Sequence, residues 1–177
     1  GRPLRTSMKR LLDEGLPKII FDPLRKIDHQ FGRHADYYLE IGFGGGELLA
    51  GLAAAKPECN FIGAEPFING VASLLRHVDE QQLGNIRIWP DDVRLILPSF
   101  GVGSLAGAFI MFPDPWPKRR HAGRRILQPT LLDQLATMIR PGGNLTLASD
   151  DPVAKSWLLQ AAMSHRDFVW TACHPDD

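Results

Sequence analysis

The stretch of sequence richest in chemistry runs from Phe112 to His121 and reads F-P-D-P-W-P-K-R-R-H. Its prolines exclude a helix interior and a central strand, because proline lacks a backbone N–H and fixes φ. The stretch follows an apolar run, Leu105–Met111, that we predict to be a buried strand. A stiff loop at a strand end that carries Asp114, Trp116 and several cations predicts a functional site. The cations are Lys118, Arg119, Arg120, Arg124 and Arg125.

Acidic residues lie at the ends of five successive predicted strands. The apolar runs predict strands over residues 37–41, 60–64, 86–89, 105–111, 144–148 and 167–171. Helices are predicted over residues 47–55, 68–82, 129–139 and 152–165, with a short helical turn over 92–97. This alternation predicts an α/β fold, a doubly wound, mostly parallel Rossmann-like sheet with ligands at the carboxyl ends of the strands. One acid can always be a helix cap, but five together favour a ligand site: Glu40, Glu65, Asp91, Asp114 and Asp150.

The glycine-rich loop after the first predicted strand indicates which kind of ligand this is. A dinucleotide fingerprint starting at Gly42 would need Gly or Ala at position 47, where Glu47 stands and would face a pyrophosphate. The loop reads E-x-G-x-G-x-G, which resembles class I S-adenosylmethionine-dependent methyltransferases. The resemblance implies S-adenosyl-L-methionine as cofactor, with close backbone approach at Gly42 and Gly44. Glu40 would then serve its ammonium group, Glu65 its ribose hydroxyls and Asp91 its adenine amino group.

A closer resemblance follows from the proline-rich stretch. Together with the basic opening at residues 1–5 and the Y-L-E-I-G-F-G run at residues 38–44, it resembles the bacterial tRNA (guanine-N7)-methyltransferase family. The likeness extends to about Asp150. It implies cofactor contacts from Glu40, Glu65, Asp91 and Asp114, and substrate contacts from Lys118 and Asp150. The implied substrate is tRNA, methylated at a guanine of the variable loop.

The chemistry of guanine suits these residues. Guanine N7 is an acceptor that carries no proton, so a methyl group can be transferred to it without a general base. We therefore predict Asp114 to be catalytic through positioning and charge stabilisation, since the purine becomes cationic as the methyl group arrives. Trp116 either stacks on the base or wedges the loop. Arg124 and Arg125, with their neighbouring cations, are predicted to grip RNA phosphates.

Two other functions stay open at this point. A methyltransferase of an exocyclic amine typically carries a D/N-P-P-Y/F/W loop, which Asp114–Trp116 resembles except for the missing second adjacent proline. The basic run that follows also disfavours it. The second alternative is a non-catalytic RNA-binding module on a degenerate methyltransferase fold, which the intact acids disfavour.

Length and charge set the wider expectations. The 177 residues carry no net charge, yet basic segments over residues 1–35 and 115–140 bracket an acidic centre, which suits a polyanionic partner. We predict a basic N-terminal arm over residues 1–34 with one short helix at 8–16, and a methyltransferase domain over 35–177. Two cysteines without metal-ligand spacing predict a cytoplasmic protein without a metal. The sequence predicts no membrane span or signal peptide, and an oligomeric state cannot be inferred from it.

One departure from the family concerns the C-terminal end. The family continues past the sixth strand into a T-x-F-E segment and a final antiparallel strand, and no T-x-F-E occurs in residues 1–177. We therefore expect this chain to be incomplete at its C-terminal end and its sheet to lack that last strand.

Overall fold

The computed structural model describes residues 6–173. The described chain alternates strands and helices after a helical opening. The helices are α1 (Thr6–Glu14), α2 (Leu16–Ile19), α3 (Ile27–Phe31), α4 (Glu47–Ala55), α5 (Ile68–Gln81), α6 (Pro129–Met138) and α7 (Pro152–Met163). The strands are β1 (Tyr37–Ile41), β2 (Asn60–Ala64), β3 (Ile86–Trp89), β4 (Leu105–Met111) and β5 (Ile139–Ala148). Short 3₁₀ turns occupy Val93–Leu95, Leu97–Ser99 and Arg119–Arg124.

The strands form one parallel sheet in the order β3-β2-β1-β4-β5. The central strand β1 pairs with β2 on one side, Glu40 opposite Gly63, and with β4 on the other, Glu40 opposite Phe109. The strand order therefore reverses between β1 and β4, and a doubly wound sheet binds ligands at such a switch point. This confirms the predicted fold class.

Helices cover both faces of the sheet, which explains why β2 and most of β4 are buried without alternation. One core cluster joins the sheet to α6 and α7 through residues such as Leu135 and Trp157. The other joins it to α4 and α5 through residues such as Leu49 and Leu74. No helix among the described residues is long and apolar enough to cross a membrane.

The segment before β1 holds three short helices where the sequence predicted one. Pro17 cannot extend the hydrogen-bond ladder of a helix already in progress, so the predicted helix over residues 8–16 divides at Gly15 into α1 and α2. The chain then joins the fold. Ile20 forms a parallel bridge with Ile88, and the buried ring of Phe21 stacks on Phe100 with 5.5 Å between ring centroids.

The predicted sixth strand over residues 167–171 is wrong. These residues lie past α7 without strand pairing to any described residue. The Phe168 N–H donates to the carbonyl of His165 at 3.3 Å, and the two rings pack with centroids 5.3 Å apart. This turn folds the chain back on the end of α7, and Val169 and Trp170 are left exposed. The apolar run over residues 168–170 has no strand to pair with among the described residues, so no strand forms there.

The fifth strand begins earlier than the sequence predicted. Helix α6 ends at Met138, and β5 takes up Ile139 and the four residues that lie between the predicted helix and the predicted strand. Pairing with β4 shifts between Leu105 and Gly107, and Gly142 has a left-handed φ of 79°. A glycine in that conformation lets the strand take up the irregularity.

Candidate active site

A cavity of about 420 Å³ lies at the carboxyl ends of the strands, beside the switch point between β1 and β4. Its wall is built from the turns that follow four of the five strands. Six of the predicted site residues line it: Gly42, Gly44, Glu65, Asp91, Asp114 and Arg124. Residues that are distant in sequence are thus brought together where the strand-end acids predicted a site.

Glu65 is the most tightly held carboxylate of the cavity. It is only 4% exposed, and its two oxygens accept backbone N–H groups from Gly44 at 2.8 Å and from Phe67 at 2.9 Å. These bonds join the glycine loop after β1 to the turn after β2. Each carboxylate oxygen keeps a further acceptor site, so a pair of ligand hydroxyls can still donate to Glu65.

The glycines of the loop leave room for a ligand. Gly42 and Gly44 have left-handed φ values of 75° and 55°, which other residues adopt at a cost. A Cβ atom added at either position would meet no protein atom within 4 Å. The backbone of this loop therefore borders open space.

Glu40 lies beneath the cavity and does not line it. The side chain is 2% exposed, and its Oε2 atom is buried without a hydrogen-bond partner among the described residues. Burial, together with the neighbouring carboxylates of Glu47 and Glu65, raises the pKa of Glu40 to about 7. An orphaned acceptor among other acids favours a cationic ligand group. No cluster of three metal-binding side chains occurs in the described part of the chain.

Two adjacent acids after β3 have separate roles. Asp92 caps the 3₁₀ turn by accepting the N–H of Arg94 at 2.9 Å, and it pairs with the Arg94 guanidinium at 2.6 Å. The guanidinium hydrogen bond lowers the pKa of Asp92. Both acids line the cavity, and Asp91 is exposed and accepts the N–H of Asp92 at 2.7 Å. The capping role thus belongs to Asp92, which leaves acceptor sites on Asp91 for a ligand.

The proline-rich loop after β4 forms the opposite wall. Asp114 is exposed and lines the cavity between two aromatic residues, Phe112 and Trp116, which also line it. Both aromatic residues have left-handed φ values, 50° and 40°. The Arg124 guanidinium lies over the Trp116 ring, 4.9 Å from its centroid, and the His121 ring meets the indole edge-on at 5.7 Å. Trp116 is therefore packed within its own loop.

Four predicted site residues do not line the cavity: Glu40, Lys118, Asp150 and Arg125. Lys118 and Asp150 are exposed. The Arg125 guanidinium lies over the Trp157 ring, 5.6 Å from its centroid, and donates to the carbonyl of Trp116 at 3.3 Å. Arg125 therefore faces helix α7, whereas its neighbour Arg124 faces the cavity.

Three residues around this site were missed in the sequence. Phe67 and Arg94 line the cavity, and their positions just after Glu65 and Asp92 were the signal that they belong to the same turns. Trp157 on α7 donates its indole N–H to the carbonyl of Pro115 at 3.0 Å. Nothing in the local sequence indicates that contact, because 42 residues separate its partners.

Comparison with known proteins places this fold among methyltransferases. A family model described as "Putative methyltransferase" matches residues 34–176. The crystal structure of the antibiotic-resistance methyltransferase Kmr is similar, with a TM-score of 0.55 and 19% identity over 81% of this chain and 80% of that one. A putative methyltransferase from Thermoplasma acidophilum has the same TM-score with 18% identity, covering 80% of this chain and 56% of that one.

Relatives of known name narrow the class. A tRNA (guanine-N(7)-)-methyltransferase of Rhodospirillum rubrum is 47% identical over 100% of this chain and 72% of the relative. The enzyme of the same name from Paramagnetospirillum magneticum is 44% identical over 95% of this chain and 74% of the relative. The chain belongs to the tRNA (guanine-N(7)-)-methyltransferase family. The resemblance noted in the sequence is confirmed.

Proposed function

We propose that this protein transfers a methyl group from S-adenosyl-L-methionine to N7 of a guanine in tRNA. One structural observation carries the proposal: acids from the ends of three successive strands, Glu65, Asp91 and Asp114, line a single cavity at the switch point of the sheet. Membership of the family gives the reaction and the substrate. It also favours N7 over an exocyclic amine, and an enzyme over a non-catalytic RNA-binding module.

The residues on the β1–β3 side fit the cofactor. S-adenosyl-L-methionine supplies an electrophilic methyl group on a positively charged sulfur. The orphaned Oε2 of Glu40, buried among acids, suits the ammonium group of the amino-acid end. Glu65 presents its free acceptor sites to the two ribose hydroxyls, and Asp91 accepts from the adenine amino group. Gly42 and Gly44 let the backbone approach the cofactor closely.

The residues on the β4 side fit the guanine. N7 presents a lone pair, so the protein has no proton to remove, and its task is alignment of two bound partners. Good alignment of the reacting atoms lowers the activation free energy by up to about 7–11 kcal/mol. Asp114 stands at the cavity wall, where its negative charge stabilises the purine as it becomes cationic. Its role is positioning and electrostatic stabilisation.

The cations that follow Asp114 fit the tRNA backbone. Lys118, Arg119, Arg120 and Arg124 are exposed on one loop, next to the cavity mouth that Arg124 helps to line. Such contacts supply affinity and orientation more than sequence choice. Asp150 is exposed after β5 and is assigned to the substrate from the sequence, whereas the guanidinium of Arg125 is turned to α7. A tRNA substrate also makes the cytoplasm the place of action.

A product analysis tests the proposal. The protein is incubated with methyl-labelled S-adenosyl-L-methionine and an unmodified tRNA transcript, and the labelled nucleoside is identified after digestion. We expect 7-methylguanosine. A matched transcript made with 7-deazaguanosine, which has no N7, should take up no label. A methylated exocyclic amine, or label in the 7-deazaguanosine transcript, would contradict the proposal.

A further inference from the structure

The loop that carries Asp114 is not held in place by its own backbone. Residues 113–117 form no helix or strand. Phe112 and Trp116, on either side of Asp114, both have the left-handed φ values that are unfavourable for residues with a side chain. A conformation of this kind persists only when its surroundings impose it. The groups that impose it therefore decide where the Asp114 carboxylate stands.

The sheet fixes only the start of the loop. The Phe112 N–H donates to the carbonyl of Ala148 at 2.8 Å, which continues the pairing of β4 with β5 by one residue. Beyond it, Pro113, Pro115 and Pro117 have no N–H to donate. The backbone carbonyls of this segment are therefore the main polar groups through which the rest of the fold can hold it.

Helix α7 supplies one such tie. Trp157 is 6% exposed, and its indole N–H donates to the carbonyl of Pro115 at 3.0 Å, directly after Asp114. The helix itself is fixed at its start, because the side chain of Asp151 caps it by accepting the N–H groups of Val153 and Ala154. The indole thus connects the capped helix α7 to the loop through a hydrogen bond.

Arg125 supplies the second tie and is coupled to the first. Its guanidinium lies over the Trp157 ring and donates to the carbonyl of Trp116 at 3.3 Å. The side-chain amide of Gln128 in turn donates to the carbonyl of Arg125 at 2.8 Å. The two carbonyls that follow Asp114 are therefore both held by one stacked pair, Trp157 and Arg125.

We infer that Trp157, with Arg125 stacked on it, is a positioning residue that sets the Asp114–Trp116 segment for methyl transfer. The inference rests on the proposed function for what the loop does, but not for how the loop is held. A displacement of about 1 Å in a group that aligns reactants can cost about 100-fold in rate. Loss of one of two ties should cost less, about tenfold.

The test compares Trp157→Phe, which keeps an aromatic ring but removes the N–H donor, with Trp170→Phe as the matched control. Trp170 is 65% exposed and lies past α7. We expect Trp157→Phe to lower the single-turnover rate about tenfold, with the dissociation constant for S-adenosyl-L-methionine changed less than twofold. Trp170→Phe should match the wild type in the single-turnover rate and in the dissociation constant. A wild-type rate in Trp157→Phe would overturn the inference.

A second pair of measurements keeps the inference testable if Trp157→Phe folds poorly or if turnover is absent. Arg125→Lys keeps the charge but loses the planar guanidinium, and should slow the reaction in the same direction. Arg166→Lys, at an exposed arginine past α7, is the matched control and should not. Amide hydrogen exchange of the ligand-free protein measures directly how well the backbone of the loop is ordered. We expect peptides covering residues 112–128 to exchange faster in Trp157→Phe and Arg125→Lys, with the glycine loop unchanged. Unchanged exchange in both would overturn the inference, whereas failure to form 7-methylguanosine in the wild type would overturn the proposed function alone.

Discussion

The two walls of the cavity are built in opposite ways. On the β1–β3 side, two of the three acids are buried: Glu65 is held by two backbone N–H groups, and Glu40 lies under the glycine loop, whereas Asp91 is exposed. On the β4–β5 side, Asp114 is exposed on a loop without regular structure. That loop is held from helix α7, by Trp157.

This difference matches the two ligands. A small cofactor with fixed hydroxyl and ammonium groups needs acceptors already in place, and burial supplies them. A guanine that arrives on a large RNA needs an open wall that it can reach, so its carboxylate cannot be buried. The second wall is therefore ordered by ties from outside the loop, and we expect it to be the more easily disturbed of the two.

The largest effect is expected at Asp114. Asp114→Asn keeps the shape of the side chain but removes the charge that we propose to face the purine. Turnover should fall about 10²–10³-fold, the usual loss for one preorganised electrostatic partner, while cofactor affinity changes little. Single-turnover methylation of tRNA and calorimetry with the cofactor would measure the two. Asp167→Asn, an exposed acid after α7, is the control. A turnover within fivefold of the wild type would remove Asp114 from the reaction.

The buried β1–β3 wall should make the folding stability of the ligand-free protein depend on pH. Burial raises the pKa of Glu40 from 4.5 to about 7, so the folded ligand-free protein holds a proton there that the unfolded chain releases. This contribution to stability is complete below about pH 4.5 and is lost as pH rises through 7. Above pH 7 the loss is on the order of 3 kcal/mol.

Glu40→Gln should remove this pH dependence. The ligand-free variant should be more stable than the wild type at pH 8, with the difference shrinking as pH falls and vanishing below about pH 4.5, as measured by urea unfolding. Its affinity for S-adenosyl-L-methionine should nevertheless be lower, because the carboxylate that we propose for the ammonium group is gone. A stability difference that stays constant from pH 5 to pH 8 would contradict the assignment.

The same contrast explains what could be predicted from the sequence. Strand-end acids and the glycine loop are local patterns, and the parallel sheet brings them together wherever the exact helix ends fall. The role of Trp157 could not be found this way, because its partner Pro115 lies 42 residues away. The sequence also could not separate Arg124 from Arg125. Their neighbouring positions send one guanidinium to the cavity and the other to α7.

Glu65 tests whether the β1–β3 wall is specific to the cofactor. Glu65→Ala removes the acceptor of the Gly44 and Phe67 N–H groups together with that of the ribose hydroxyls. Hydrogen bonds to a charged group contribute about 1.5–3 kcal/mol, so cofactor affinity should fall by that amount, as measured by calorimetry. Glu58→Ala, an exposed acid after α4, should bind normally. Unchanged affinity in Glu65→Ala would show that the ribose lies elsewhere.

The smallest expected effect is a change in the salt dependence of tRNA binding, which distinguishes the two walls of the cavity. Binding of tRNA should weaken steeply with salt, and each phosphate contact contributes about 0.7–0.9 to the log–log slope. Arg124→Gln should lower that slope by about one contact and leave cofactor affinity unchanged, because its guanidinium lies on the Trp116 side of the cavity. Arg76→Gln, an exposed cation on α5, should leave the slope as it is. Filter binding at several salt concentrations gives the slopes. If Arg124→Gln weakened cofactor binding instead, the basic loop would belong to the cofactor wall. The division of the cavity into a β1–β3 wall for the cofactor and a β4–β5 wall for the tRNA would then fail.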